Sequence, residues 1–101
     1  MPLFMIKREY FDLIRIGKKT VELRKKDGPW KYAKVGDAAV FLCGKETERR
    51  TITSIQEGTL EEIFSNVDFR RILPNTGSLE EAIQLVRRLY PNESNFIAFE
   101  F

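Results

Sequence analysis

Residues 17–24 read Gly-Lys-Lys-Thr-Val-Glu-Leu-Arg, and this stretch is where a helix hands over to a strand. Before it, residues 8–16 carry apolar side chains at helical spacing, with Tyr10, Leu13 and Ile14 on one face and Phe11 beside them. Gly17 follows at the position where a left-handed residue is cheapest, so it ends that helix. From residue 20 to residue 24 polar and apolar types alternate. That is strand periodicity: Val21 and Leu23 point one way, and Thr20, Glu22 and Arg24 point the other.

Working outward, residues 2–6 are apolar and predict a short strand. Residues 25–34 form a loop, with Asp27-Gly28-Pro29 as strong turn chemistry. A Val-Gly-Asp turn at 35–37 leads into the apolar run 38–43, suited to a buried strand in which Cys43 acts as a small hydrophobe. Residues 49–56 alternate again, but Ile52 is out of phase with Ile55, which predicts a bulge or bend. Two capping boxes follow, Thr59-Leu60-Glu61-Glu62 and Ser78-Leu79-Glu80-Glu81. The first opens a short helix. The second opens one with Leu79, Ala82, Ile83, Val86, Leu89 and Tyr90 on one stripe, stopped by Pro91. Residues 69–76 read as irregular. The stretch 96–101, FIAFEF, is a closing strand with Ile97, Phe99 and Phe101 on one side. Strands and helices do not alternate as βαβ units would. The expected class is α+β: one domain over 1–101, built as a small, mostly antiparallel β-barrel with about three helices packed outside.

The 101 residues contain no histidine and one cysteine. The missing imidazole excludes Ser-His-Asp and Cys-His catalysis and histidine-bearing zinc sites. No acidic cluster has ligand spacing, so neither a metal nor another cofactor is expected. A single cysteine suits a reducing compartment. With no secretory start and no apolar run near the roughly 18 residues of a membrane span, a cytoplasmic protein without a membrane partner is expected.

Net charge is +2, but it is unevenly spread. Residues 18–34 hold seven Lys or Arg against two acids, +5, which leaves −3 elsewhere. That segment predicts an anionic partner. Within it, Lys25 and Lys26 are candidate phosphate contacts, and Trp30 and Tyr32 flank Lys31 as aromatic rings interleaved with positive charge, suited to stacking on bases. Trp30 could equally close one end of the barrel. Glu22 and Arg24 share a strand face about 7 Å apart, and the Gly17 turn redirects Lys19 toward that face. The result is a carboxylate between two cations, able to accept from an exocyclic amine while Arg24 donates to a carbonyl or phosphate.

The matched positions Gly17, Lys19, Glu22 and Arg24 resemble the ASCH signature G-x-K-x-x-E-x-R. The order of elements also resembles small ASCH proteins: strand, helix ending at the glycine, Val-Gly-Asp turn, and a helix ending Leu-Tyr-Pro before a last strand. The resemblance implies a barrel similar to the PUA fold, a motif-lined cleft and association with RNA or nucleotides. Gly17, Lys19, Thr20, Glu22 and Arg24 would then join Lys25, Lys26, Trp30 and Tyr32 in binding. The resemblance also implies an alternative, since some small members are hydrolases acting on acetylcytidine. Lys19 and Glu22 would be the catalytic pair in that case, or in a weak ribonuclease. Those enzymes carry Thr where this chain has Glu22, and an acid where it has approximately Asn75.

Overall fold

The computed structural model describes residues 2–101. Six strands run in chain order as β1 (Leu3–Met5), β2 (Val21–Lys25), β3 (Ala38–Cys43), β4 (Glu46–Thr51), β5 (Ser54–Gly58) and β6 (Phe96–Glu100). They form two three-stranded sheets, ordered β1-β3-β4 and β2-β6-β5. Only the β1–β3 pair is parallel. The class is therefore α+β and mostly antiparallel, as expected, but the ladders do not close into a barrel among the described residues. The out-of-phase Ile52 marks where the chain passes from one sheet to the other. It is not a bulge within one strand: β4 ends at Thr51, Ile52 enters the core, and the chain re-emerges as β5 in the other sheet.

Four α-helices accompany the sheets: α1 (Arg8–Arg15), α2 (Leu60–Asn66), α3 (Phe69–Ile72) and α4 (Leu79–Leu89). The irregular reading of 69–76 missed α3, whose four residues are too few to show a helical period. Asp68 starts it, its carboxylate accepting from the Arg70 backbone N–H at 2.9 Å. At α2 the capping box is complete, with Thr59 and Glu62 satisfying each other's amides at 3.2 and 3.1 Å. At α4 only half of it forms. Ser78 Oγ accepts from Glu81 N, while the Glu81 carboxylate turns to Gly77 N at 2.8 Å.

β6 organises the core because both its faces are buried. Ile97 and Phe99 meet Phe4, Phe41 and Ile52 between the sheets, with Phe11 and Ile14 of α1 added. Phe96 and Ala98 meet Val21, Leu60, Ile63, Ile72 and Val86 under α2, α3 and α4. The register of β2 on β6 then fixes the motif's orientation. Glu22 lies opposite Phe99 and Arg24 opposite Ile97, so the strand's polar face looks into the space between the sheets. Cys43 is half-buried and free rather than fully enclosed.

Candidate functional site

Gly17 takes φ +81°, and an added Cβ would meet nothing within 4 Å. The demand there is purely on the backbone, where only glycine is free of strain. The turn lets the Lys18 and Lys19 amides both donate to Leu13 O, which carries the Lys19 side chain off α1. The sequence places this charge at the C-terminus of α1, but the fold directs it to α3. Lys19 Nζ donates to Ile72 O at 2.7 Å and to Val21 O at 2.6 Å. Its third contact is Glu22 Oε1 at 3.1 Å. The side chain is 3% exposed. Burial pulls the Lys19 ammonium down from its ordinary range, and the Glu22 carboxylate opposes that pull. Three acceptors match the three protons of an ammonium, whereas a neutral amine has two.

Glu22 is 6% exposed and receives Arg24 on its other oxygen, with Nε and Nη2 each 2.7 Å from Oε2. Arg24 Nη2 also donates to Met5 O at 3.0 Å. This bond spans the gap between β2 and β1, where a closed barrel would have a ladder. The guanidinium lies beside two rings that pack on each other, 5.2 Å from the centroid of Phe4 and 5.3 Å from that of Trp30. Trp30 is fixed in turn by its Nε1 donating to Lys25 O at 2.9 Å. Its ring packs on Phe4 and Arg24 rather than standing free for a base.

These three charges form the floor of a cleft of about 260 Å³. Tyr10 of α1 stands on one side, with Lys19 Nζ 5.8 Å from its ring. Leu85, Val86 and Leu89 of α4, with Tyr90 just after it, also line the cleft, as do Met5 and Lys7 where β1 runs into α1. Both tyrosines were assigned from sequence to apolar stripes. Nothing in their spacing shows that the two stripes face each other.

The other candidates do not line this cleft. Thr20 Oγ1 accepts from Arg71 Nε at 2.9 Å, beside an Arg71–Glu100 pair at 2.7 Å. Lys26 pairs with Glu57 at 3.4 Å. Tyr32 is exposed, and Lys25 ends β2 opposite Phe96. The +5 of residues 18–34 is therefore not one surface. Lys19 is buried, Arg24 is held by Glu22, and Lys26 is matched by an acid from β5. Asn75 bonds Glu9 Oε1 at 2.7 Å. Among the described residues no group of three acidic, Cys or His side chains gathers to hold a metal, and no helix is long and apolar enough to cross a membrane.

Two sheets joined across a gap by a buried Lys-Glu-Arg cluster, beside a cleft closed by the last helix, define an α+β domain with one charged cleft. The chain belongs to the ASCH domain family, whose model matches residues 4–100. It is similar over 99% of its length to the crystal structure of hypothetical protein PH0355, covering 96% of that chain at 28% identity and a TM-score of 0.83. The solution structure of protein PF0455 from Pyrococcus furiosus also matches at 28% identity, covering 98% of this chain and 93% of that one, TM-score 0.75. The crystal structure of ASCH from Zymomonas mobilis shares the fold at 17% identity and a TM-score of 0.70, over 97% of this chain and 64% of that one. No curated protein matches the sequence.

Proposed function

We propose that this protein binds RNA or a nucleotide, taking a base into the cleft above Glu22. The carrying observation is the chemistry of the cleft floor. Among the described residues Glu22 Oε1 accepts only from Lys19, and it keeps a lone pair for a further donor, such as a base amine. Arg24 engages Nε and Nη2, while its two Nη1 protons have no partner among the described residues. They suit a carbonyl or phosphate oxygen. The walls are aromatic and aliphatic, as base stacking requires. About 260 Å³ lies just below the ~300–1,000 Å³ usual for small-molecule sites, which favours a single nucleotide unit over a larger ligand. The association of ASCH proteins with RNA supports the same reading.

A hydrolase built on Lys19 and Glu22 draws less support from the geometry. A lysine whose three protons are all engaged has no lone pair to attack or to take a proton. Titration of nucleosides, nucleotides and short RNAs, with binding and product followed together, tests both readings. Binding predicts that Glu22→Gln lowers affinity by about 1–3 kcal/mol, the range for a charge-assisted hydrogen bond. Catalysis predicts a fall in turnover of about a hundredfold or more with affinity nearly unchanged. Parental binding by both Glu22→Gln and Arg24→Gln would remove the site.

A further inference from the structure

The charged residues lining the cleft are Lys7, Lys19, Arg24 and Glu22. Three cations against one carboxylate leave +2. Within the buried cluster Lys19 and Arg24 share Glu22, so one positive charge is already unmatched at the floor. Lys7 adds the second. It is exposed and makes no ion pair among the described residues, unlike Arg8 and Arg15 on the same helical segment, which reach Asp12 and Glu46. Lys7 follows Met5 by two residues, and the Met5 carbonyl is the group that holds Arg24 Nη2. Lys7 and Arg24 thus both line the part of the cleft that Met5 borders, where β1 runs into α1. An excess of one sign over low-dielectric walls attracts the opposite sign more strongly than it would in open water.

We infer that the cleft takes its ligand as a phosphorylated nucleoside, with the phosphate between the Lys7 ammonium and the free Nη1 edge of Arg24. This rests on the binding proposed above and deepens it. It also moves the phosphate contact away from Lys25 and Lys26, which lie outside the cleft. A guanidinium edge offers two parallel donors to phosphate oxygens, and an ammonium supplies a mobile point charge beside them. A free nucleotide and the phosphorylated end of an RNA present the same group.

The test is calorimetric titration of the four common nucleosides against their 5′- and 3′-monophosphates at fixed ionic strength. The parent should bind at least one monophosphate about tenfold more tightly than its nucleoside. Lys7→Gln should erase that difference. Lys7→Arg should restore it, and Lys45→Gln, an exposed lysine in the turn before β4, should not alter it. A trinucleotide bearing the same terminal phosphate assigns the site to RNA ends if it binds equally well, and to free nucleotides if it binds weakly. Either result upholds the phosphate contact. Equal binding of nucleoside and monophosphate overturns the inference while the base-binding reading stands. A preference for monophosphate that survives Lys7→Gln overturns it too. Absence of binding by every member of the series overturns both.

Discussion

The molecule holds two charge clusters of similar composition in different surroundings. On α1 and β4, Arg8 and Arg15 pair with Asp12 and Glu46, with both guanidinium groups 5.3–5.7 Å from the Phe11 ring. On β2, Lys19 and Arg24 pair with Glu22, and Arg24 lies against Phe4 and Trp30. The first set is 43–51% exposed, and the second is 3–17% exposed. In water the first four charges are screened and mobile, and such pairs contribute about 0–1 kcal/mol. In the second set, desolvation makes each missing partner expensive, so the geometry is held firmly. Pairing alone does not make a site. Pairing in a dry wall, beside a cleft, does.

The sharpest break between the clusters is Lys19→Met against Arg15→Met. The first leaves Glu22 buried with one partner and should lower unfolding free energy by about 3–5 kcal/mol. The second should lower it by less than about 1 kcal/mol. Urea midpoints for the two variants measure this. Equal costs would make the Lys19 cluster energetically another surface pair.

Trp30→Ala comes next. It removes a ring that packs beside Arg24 and on Phe4, at 6.1 Å between the Trp30 and Phe4 centroids. A half-buried tryptophan should cost about 2 kcal/mol in stability, and ligand affinity should fall with it because Arg24 loses a wall. Trp30→Phe should recover most of the affinity. If Trp30→Ala binds as the parent does, Arg24 is held by Glu22 and Met5 alone.

The pH dependence of stability separates the clusters in the alkaline range. Burial lowers the Lys19 pKa from its ordinary 10.5, so the folded chain gives up this proton at a lower pH than the unfolded chain. Between the two values the unfolded chain binds more protons, and stability rises with pH. The contribution saturates above 10.5 and is absent below the folded value. Lys19→Met should flatten this rise relative to the parent, and Arg15→Met should leave it in place. Urea midpoints measured across a pH series provide the comparison.

The smallest effect belongs to Glu46→Gln. It removes the acid shared by Arg8 and Arg15, at a cost under about 1 kcal/mol that should vanish in molar salt. A salt-resistant loss would show that this cluster is more firmly held than its exposure implies.

Most elements follow from local chemistry. Gly17 after an apolar stripe, the alternation over 20–24, the hydroxyl–acid spacing at Thr59 and Ser78, and Pro91 after Tyr90 each act within a few residues. A chain read one stretch at a time therefore reveals them. The short helices that escaped, α3 and the single 3-10 turn Pro29–Tyr32 inside the stretch read as a loop, have too few residues to carry a period. The phase slip between Ile52 and Ile55 was visible, but its meaning was not. A bulge and a crossing between sheets leave the same mark in the sequence, and only the strand order distinguishes them.

The sequence by itself determined the α+β class, the end of α1, the starts of α2 and α4, and the Gly17, Lys19, Glu22 and Arg24 signature. Tertiary structure decided what the signature faces. The Lys19 ammonium is enclosed by the Ile72 carbonyl, 53 residues away. Arg24 is held by a carbonyl of β1 and a ring of the 25–34 loop. Thr20, inside the same motif, turns instead to Arg71. Tyr10 and Tyr90 meet across one cleft from opposite ends of the chain. Local spacing fixes which way a side chain leaves its own backbone. What it meets there depends on segments brought in by the long-range packing of β6 on both its faces, and that packing has no signature within any one stretch.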